Sequence, residues 1–355
     1  MNNQYANILI NKTATAKDAI KQIDRNLEKI LFVVDAENKL IGSITDGDIR
    51  RWILKDGDLS VEVEKVCFKG TFFVKYDYNL DYIKKEIYQR EISHVPVVND
   101  DHSIVEFLVW DKLFEKNIVR KTINQIDADV VIMAGGKGTR LDPFTRILPK
   151  PLIPIGDKTI IELIIEKFTY YKLNEFYISV NHKAKIIKSY FEELQPLYKI
   201  NYINEEKPLG TIGALKQLDG KTEKEIILTN CDIIIETDYA DLLSHHRNEK
   251  NDITIVTSLK HYNIPYGICE IENGGNLVSI KEKPEYDFLV NTGMYIINPL
   301  QLKYIPDNEV FNATDLVEAV IKDNRKVGVY PISETSWIDT GEWAEYKKAA
   351  EKMRI

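Results

Sequence analysis

The chain has 355 residues, long enough for two domains. Hydrophobic residues make up 44% and charged residues 29%, the composition of a globular protein rather than of a disordered or fibrous one. Its formal net charge of −8, from 47 Lys+Arg against 55 Asp+Glu, argues against general nucleic-acid binding, so a phosphorylated substrate has to be met by local cations. Residues before about 125 carry two copies of one short pattern. In the first, Ala16, Ala19, Ile20 and Ile23 give 15–27 a helical period. Ile30–Val34 then reads as a strand, 35–38 as a turn and 40–44 as a second strand, and Thr45-Asp46-Gly47-Asp48 predicts the cap of a helix beginning near Ile49. In the second copy 80–89 is the helix, His94–Val98 the strand, 99–101 the turn, Ile104–Val109 the next strand and 111–114 the start of a helix. Two copies of a unit this size pack together into one domain. The short polar stretch 121–127 reads as a linker.

From Asp129 onward strands alternate with helices. The strands are 130–134, Glu175–Val180, 199–203 and 225–230. The helices are 160–171, Ala184–Leu194 and 210–218, the first with its period in Ile160, Leu163, Ile164, Lys167 and Phe168. Such alternation predicts an α/β fold with a mostly parallel, Rossmann-like sheet covered on both faces. Ligands bind such sheets at the carboxyl ends of the strands. The predicted domains are 1–122 and 128–355.

The start of the chain has no basic region followed by an apolar one, as a signal peptide would, and no apolar run is long enough to span a bilayer. Cys67, Cys231 and Cys269 lack metal-ligand spacing. They predict a reduced, cytoplasmic setting without a disulfide frame. His94 reads as the end of a core strand, and His245-His246 falls in a helix with no metal partner nearby.

The most informative stretch is Gly135-Gly136-Lys137-Gly138-Thr139-Arg140-Leu141-Asp142-Pro143, which continues through Thr145 to Pro149-Lys150-Pro151. It follows the apolar strand ending at Ala134. A strand running into a glycine-rich turn exposes successive backbone N–H groups, and such a concavity binds phosphate. Arg140 and Lys150 stand beside it. The spacing excludes a dinucleotide-binding turn, which needs G-x-G-x-x-G and a later acid, and a P-loop, which needs G-x-x-x-x-G-K-[ST]. Two further segments carry well-placed acids: Asp232 closes the apolar strand at Asn230-Cys231-Asp232, and Asp339 lies within Trp337-Ile338-Asp339-Thr340-Gly341.

The glycine segment resembles the signature of the sugar-1-phosphate nucleotidyltransferases, GGxGTRLxPxT followed by PKP, matched at Gly135, Gly136, Gly138, Thr139, Arg140, Leu141, Pro143, Thr145, Pro149, Lys150 and Pro151. The resemblance implies an enzyme that joins a sugar-1-phosphate to the α-phosphorus of an NTP and expels pyrophosphate. It implies that Ala134, Gly135, Gly136, Gly138, Thr139 and Gly210 line the nucleotide, that Arg140 grips the outgoing phosphates and that Lys150 meets the α-phosphate. By the same likeness Asp232 and Asp339 hold a catalytic Mg²⁺. Glu282-Lys283-Pro284 and Asn291-Thr292-Gly293 match elements that contact the sugar and its phosphate. Loop 205–214 matches the base-reading loop, and it carries Glu205 and Glu206 where thymidylyl relatives carry Gln. A carboxylate suits the adjacent N1–H and N2–H₂ of guanine, whereas an amide suits uracil or thymine. Its Leu-Gly-Thr-x-Gly-Ala run also looks like the mannose- and heptose-1-phosphate guanylyltransferases, so GTP is expected ahead of dTTP or UTP.

Residues 5–120 resemble a tandem CBS module, through Gly42-Ser43-Ile44-Thr45-Asp46-Gly47-Asp48-Ile49-Arg50 and His94-Val95-Pro96-Val97-Val98. Such modules often bind adenine nucleotides through a Thr/Ser-x-x-Asp arrangement and often dimerise. Thr45 and Asp48 match that arrangement in the first copy. Val109-Trp110-Asp111 lacks the hydroxyl in the second. The layout resembles enzymes of surface-sugar pathways, including nonulosonic acid synthesis, where glucosamine-1-phosphate would be the substrate. No nucleic-acid or membrane partner is expected, and a regulatory protein that has lost turnover is the rival reading.

Overall fold

The computed structural model describes residues 3–26, 29–55, 57–79, 82, 83, 86, 90, 92, 94–109 and 125–352. Most of the expected helix 80–89, the expected helix start at 111–114, Trp110 and linker residues 121–124 lie outside the described residues. The chain divides into two compact units, Met1–Ile123 and Asn124–Ile355. No helix among the described residues is long and apolar enough to cross a membrane.

In the first unit β1 (Leu9–Asn11), β2 (Ile30–Val34) and β3 (Leu40–Thr45) form a sheet in that order, the first pair parallel and the second antiparallel. β4 (Val74–Lys75), β5 (His94–Val98) and β6 (Ile104–Val109) repeat the same order and directions. The internal repeat read from sequence is therefore a repeat of topology. The two sheets share an apolar cluster of Ile8, Phe32, Val34, Val98, Ile104 and Phe107, with the Phe32 and Phe107 rings 4.9 Å apart. The helix Ala16–Arg25 buries Ala16, Ala19, Ile20 and Ile23, the face its period marks.

The next helix, Asp46–Lys55, begins three residues earlier than expected. The reason is local. Thr45 donates from its backbone N (2.9 Å) and its hydroxyl (2.7 Å) to the Asp48 carboxylate, while the Asp48 N–H faces the Thr45 Oγ1 at 3.4 Å. That reciprocal capping arrangement starts the helix directly after Thr45. Arg51 pairs with the same carboxylate at 2.5 Å.

In the second unit a seven-stranded sheet joins residues 199–204, 175–180, 129–133, 226–230, 285–297, 253–263 and 327–332 in that order. Its strands are β7 (Asp129–Met133), β10 (Glu175–Val180), β11 (Lys199–Asn204), β12 (Ile226–Asn230), β14 (Ile253–Asn263), β17 (Glu285–Ile297) and β18 (Val327–Ile332). β11, β10, β7 and β12 are mutually parallel, as are β14 and β18, and β17 alone runs antiparallel to both neighbours. Small pairs complete it: β8 (Pro154–Ile155) with β9 (Lys158–Thr159), β13 (Ile233–Ile235) with β19 (Trp337–Asp339), and β15 (Ile268–Ile271) with β16 (Leu277–Lys281).

Side chains alternate along β7 between the two faces. Val130 and Ile132 join one apolar core under the helices Ile160–Thr169, Ala184–Leu194 and Tyr239–Asn248, and Val131 and Met133 join the other under Gly213–Leu218 and the helix Ala313–Lys322. Burial on both faces explains why the strand reads as a continuous apolar run. The expected helix 210–218 is corrected to a 3-10 turn at Gly213–Leu218. The N–H groups of Ile212 and Gly213 both donate to the Phe311 carbonyl at 3.2 Å, and Phe311 N–H returns to Leu209 O at 2.9 Å. This tie holds the preceding residues in a loop.

Candidate active site

Four parallel neighbours end on one edge of the sheet. Ladder contacts continue past the strands: Ala134 N–H donates to Ser179 O at 3.0 Å, Glu205 N–H to Val180 O at 3.0 Å, and Cys231 N–H to Met133 O at 3.2 Å. Glu205, Asn181, Gly135 and Asp232 therefore stand in a row at four consecutive strand ends. Glu205 is 9% exposed. One of its carboxylate oxygens accepts from the hydroxyl of the fully buried Ser179, and the other accepts from Leu209 N–H at 3.0 Å. Asn181 Nδ2 donates to the Glu205 carbonyl at 2.7 Å.

The glycine turn follows β7. Gly138 has φ +67°, and a Cβ there would meet Lys150 Cβ at 2.9 Å and Thr145 Cγ2 at 3.0 Å. Only glycine satisfies both the left-handed backbone and the close approach. A Cβ at Gly136 would meet nothing within 4 Å, so this part of the turn faces open space. A 3-10 turn, Thr139–Leu141, then sends Leu141 into the core and leaves Arg140 exposed. Arg140 pairs with Glu342 at 3.5 Å. The 3-10 turn Lys150–Leu152 buries the whole Pro149-Lys150-Pro151 segment, and the Lys150 ammonium binds the Asp232 carboxylate.

The second acid arrives from 107 positions downstream of the first. Thr340 donates to the Asp232 carbonyl twice, from N–H and from Oγ1, both at 2.8 Å. β13 and β19 pair Ile233 with Asp339, and Gly341 N–H donates to Asp339 Oδ1 at 2.7 Å. A Cβ built on Gly341 would lie 2.8 Å from Asp339 Oδ1, 2.9 Å from Asp232 Oδ2 and 3.1 Å from Lys150 Nζ. Both acids and the lysine thus converge on one small volume. Burial lifts the Asp339 carboxyl above the usual carboxylate range and the Asp232 charge adds to it, while Gly341 N–H, Lys150 and Arg140 pull it back. Among the described residues no group of three or more His, Cys, Asp or Glu forms a ligand cluster. The donor set is two carboxylates, which fits Mg²⁺, an ion that takes one or two carboxylates and completes its shell with phosphate oxygens and water.

Asn291-Thr292-Gly293 forms a bulge in β17, where pairing with β14 skips from Val256↔Met294 to Thr257↔Asn291. Gly293 has φ +84°, and a Cβ there would stand 2.6 Å from Asn230 Nδ2. Thr292 Oγ1 donates to Val256 O at 2.8 Å, and Asn291 Oδ1 accepts from Gly293 N–H at 2.9 Å. The bulge therefore abuts the Asn230-Cys231-Asp232 corner. Glu282 and Lys283 are exposed and stand before the other end of β17. From Glu285 to Asn291 is six extended steps, about 20 Å. His246 is buried in its helix, and its Nδ1 meets Thr254 Oγ1 at 2.8 Å.

Sequence reasoning missed Ser179, Asn181, Thr340, Gly341 and Glu342. Ser179 and Asn181 lie at the carboxyl end of a predicted strand, a signal that could have marked them. Thr340 and Gly341 belong to the segment that marks Asp339 but have no role legible in it, and Glu342 carries no signal, because what these residues do depends on contacts with Asp232, Asp339 and Arg140.

Residues 129–354 match the family described as nucleotidyl transferase, and residues 6–55 match the CBS domain. A UTP–glucose-1-phosphate uridylyltransferase from Synechocystis sp. is 27% identical over 240 residues, which is 62% of this chain and 61% of that protein. The chain thus spans about three fifths of the length of that relative. A D-glycero-alpha-D-manno-heptose 1-phosphate guanylyltransferase from Aneurinibacillus thermoaerophilus is 28% identical over 229 residues, 64% of this chain and 98% of that protein. The crystal structure of HddC from Yersinia pseudotuberculosis complexed with GMP-PN aligns with a TM-score of 0.50 at 27% identity, covering 64% of this chain and 100% of that one.

Proposed function

The chain belongs to the nucleotidyl transferase family, and from that premise we propose that it transfers GMP from GTP to a sugar-1-phosphate, giving a GDP-sugar and pyrophosphate. The observation that carries this is the convergence of Lys150, Asp232 and Asp339 beside a glycine turn at a strand end. In the reaction a sugar-phosphate oxygen forms a bond to the α-phosphorus while the bond from that phosphorus to the β-phosphate oxygen breaks. Positioning and charge neutralisation dominate such transfers.

The turn 135–138 offers backbone N–H groups to the triphosphate. Arg140 leaves Glu342 for the outgoing phosphates, and Lys150 leaves Asp232 for the α-phosphate. Asp232 and Asp339 would hold Mg²⁺, which when bound supplies neutralisation of phosphate charge. Asn291 and the Gly293 bulge border the Asp232 corner, where a sugar would lie. Glu282 and Lys283 are assigned to the sugar phosphate by motif alone.

Glu205 supports the choice of guanine. Its carboxylate has about four lone-pair positions. Ser179 and Leu209 take two, leaving two for the paired donors of guanine. The names of the Aneurinibacillus relative and of the GMP-PN complex point the same way. The name of the Synechocystis relative favours UTP. Pyrophosphate release, measured with GTP, UTP and dTTP against hexosamine, hexose and heptose 1-phosphates, decides between them. Turnover with GTP well above UTP is expected. Equal turnover with both would overturn the base assignment, and no release with any pair would leave a regulatory nucleotide-binding protein. For the CBS unit an adenine nucleotide at Thr45 and Asp48 is the corresponding proposal, tested by calorimetry with AMP and ATP on the full chain.

A further inference from the structure

We propose that the Lys150 ammonium is the resident cation of the two-carboxylate site, and that a divalent ion enters only as Lys150 departs to a bound triphosphate. The inference rests on the reading of Asp232 and Asp339 as the metal-holding pair, and it adds the rule by which that pair is kept closed. Around the Gly341 Cβ position the Lys150 Nζ, Asp232 Oδ2 and Asp339 Oδ1 lie within 3.1, 2.9 and 2.8 Å. The ammonium therefore binds Asp232, one of the two carboxylates that a divalent ion would take, beside the glycine that the other acid also approaches.

The carboxylates and the lysine differ in how they are held. Asp232 is tied by two hydrogen bonds from Thr340 to its carbonyl, and Asp339 Oδ1 is tied by Gly341 N–H. Pairing of Ile233 with Asp339 fixes the two chains against each other. These ties do not depend on any cation. Lys150 instead reaches the site on a flexible four-carbon stem that runs past Gly138, and among the described residues only the Asp232 carboxylate holds its ammonium there. Its side chain is 9% exposed and that of Asp232 is 15%, so water screens their contact weakly.

Two cations cannot share this volume, because their repulsion at such a separation is large where water is scarce. A bare divalent ion must drive the ammonium away from its carboxylate. A triphosphate changes the balance. It supplies the anion that takes Lys150 while the ion takes the two aspartates. Metal and nucleotide then enter as a pair.

The test is titration of the full chain with Mn²⁺ followed by its electron paramagnetic resonance signal, without nucleotide. Wild type should bind Mn²⁺ at least tenfold more weakly than Lys150→Met, and Lys150→Arg, which keeps the charge, should stay weak. Should Lys150→Met fold poorly, its melting temperature supplies a second readout: Mn²⁺ should raise it more than it raises that of wild type, because the ion neutralises the unpaired Asp232. Equal Mn²⁺ affinity and equal melting shifts in wild type and Lys150→Met, with Asp232→Asn weakening both, would overturn the inference and leave the metal reading standing. If Asp232→Asn changes Mn²⁺ binding neither with GTP nor without it, the metal reading itself fails.

Discussion

Glu205 occupies the space that a side chain at position 135 would need. Its Oε1 stands 2.7 Å from the place of a Cβ on Gly135, so the carboxylate lies directly against the turn that starts the phosphate loop. Ser179, fully buried on the neighbouring strand, donates its hydroxyl to that same oxygen. An acid on one strand end is therefore aimed by a hydroxyl on the next.

Removing the aim should cost base discrimination. Hydrogen bonds to charged groups are worth about 1.5–3 kcal/mol, so Glu205→Gln should lower kcat/KM for GTP by roughly 10- to 100-fold and raise relative use of UTP. Ser179→Ala should move the same ratio less, mainly through KM. Steady-state kinetics with both nucleotides check this. An unchanged GTP-to-UTP ratio in Glu205→Gln would remove Glu205 from base reading.

Asp339→Asn should trade activity for stability. Burial and the Asp232 charge disfavour its ionised form, so a neutral amide of the same shape relieves the folded state at neutral pH. A gain of ~1 kcal/mol would raise the melting temperature by about 2–4 °C. Turnover should fall by more than the roughly 10–100-fold that supporting residues of a metal site cost. Calorimetry beside a pyrophosphate assay shows both. Because the folded-state pKa is raised, the stability gain should shrink as pH falls through the carboxylate range and the native Asp339 takes up its proton.

Gly138→Ala should destabilise the second unit. The residue has φ +67°, and the new Cβ would meet the Lys150 and Thr145 side chains at 2.9 and 3.0 Å. Left-handed backbone and crowding together cost about 1–3 kcal/mol. Urea unfolding should show the loss. Activity should drop further than stability alone explains, since the displaced group is the stem of Lys150.

Acid should weaken the fold through His246. Burial lowers its pKa to about 4, with Glu225 opposing and Arg247 assisting. An unfolded chain protonates this ring near 6.5. As pH falls from about 6.5 to about 4 the unfolded state takes the proton first, and about 3 kcal/mol of stability is lost. His246→Gln should flatten the stability profile across that window. An equally steep profile in the variant would show that other groups set the acid limit.

Much of the second unit was legible because its signals are local. Parallel strands buried on both faces must be apolar runs, so 130–134 and 225–230 announced themselves. The boundaries of Ala184–Leu194 and Glu175–Val180 coincide with their sequence readings. Less legible were places where a distant group overrode local pattern. The Phe311 carbonyl ties down Ile212 and Gly213, and what reads as a helix over 210–218 becomes a loop and a short turn. In the first unit Thr45 and Asp48 satisfy each other and start their helix directly, a local pairing whose residues were seen but whose position was placed late.

From sequence alone came the family likeness, the repeat, the phosphate-binding turn, and the residue types at positions 140, 150, 232 and 339, because glycine-rich turns and acids closing apolar runs are written in neighbouring residues. The resemblance implied that Asp232 and Asp339 share an ion, but not that pairing of Ile233 with Asp339 would join their two segments, that Lys150 would bind Asp232, or that Ser179 would hold Glu205. Those relations cross tens to hundreds of positions. They exist only once β13 pairs with β19 and four parallel strands end on a common edge, since separation along a chain carries no information about distance until backbone hydrogen bonds and core packing have fixed the register.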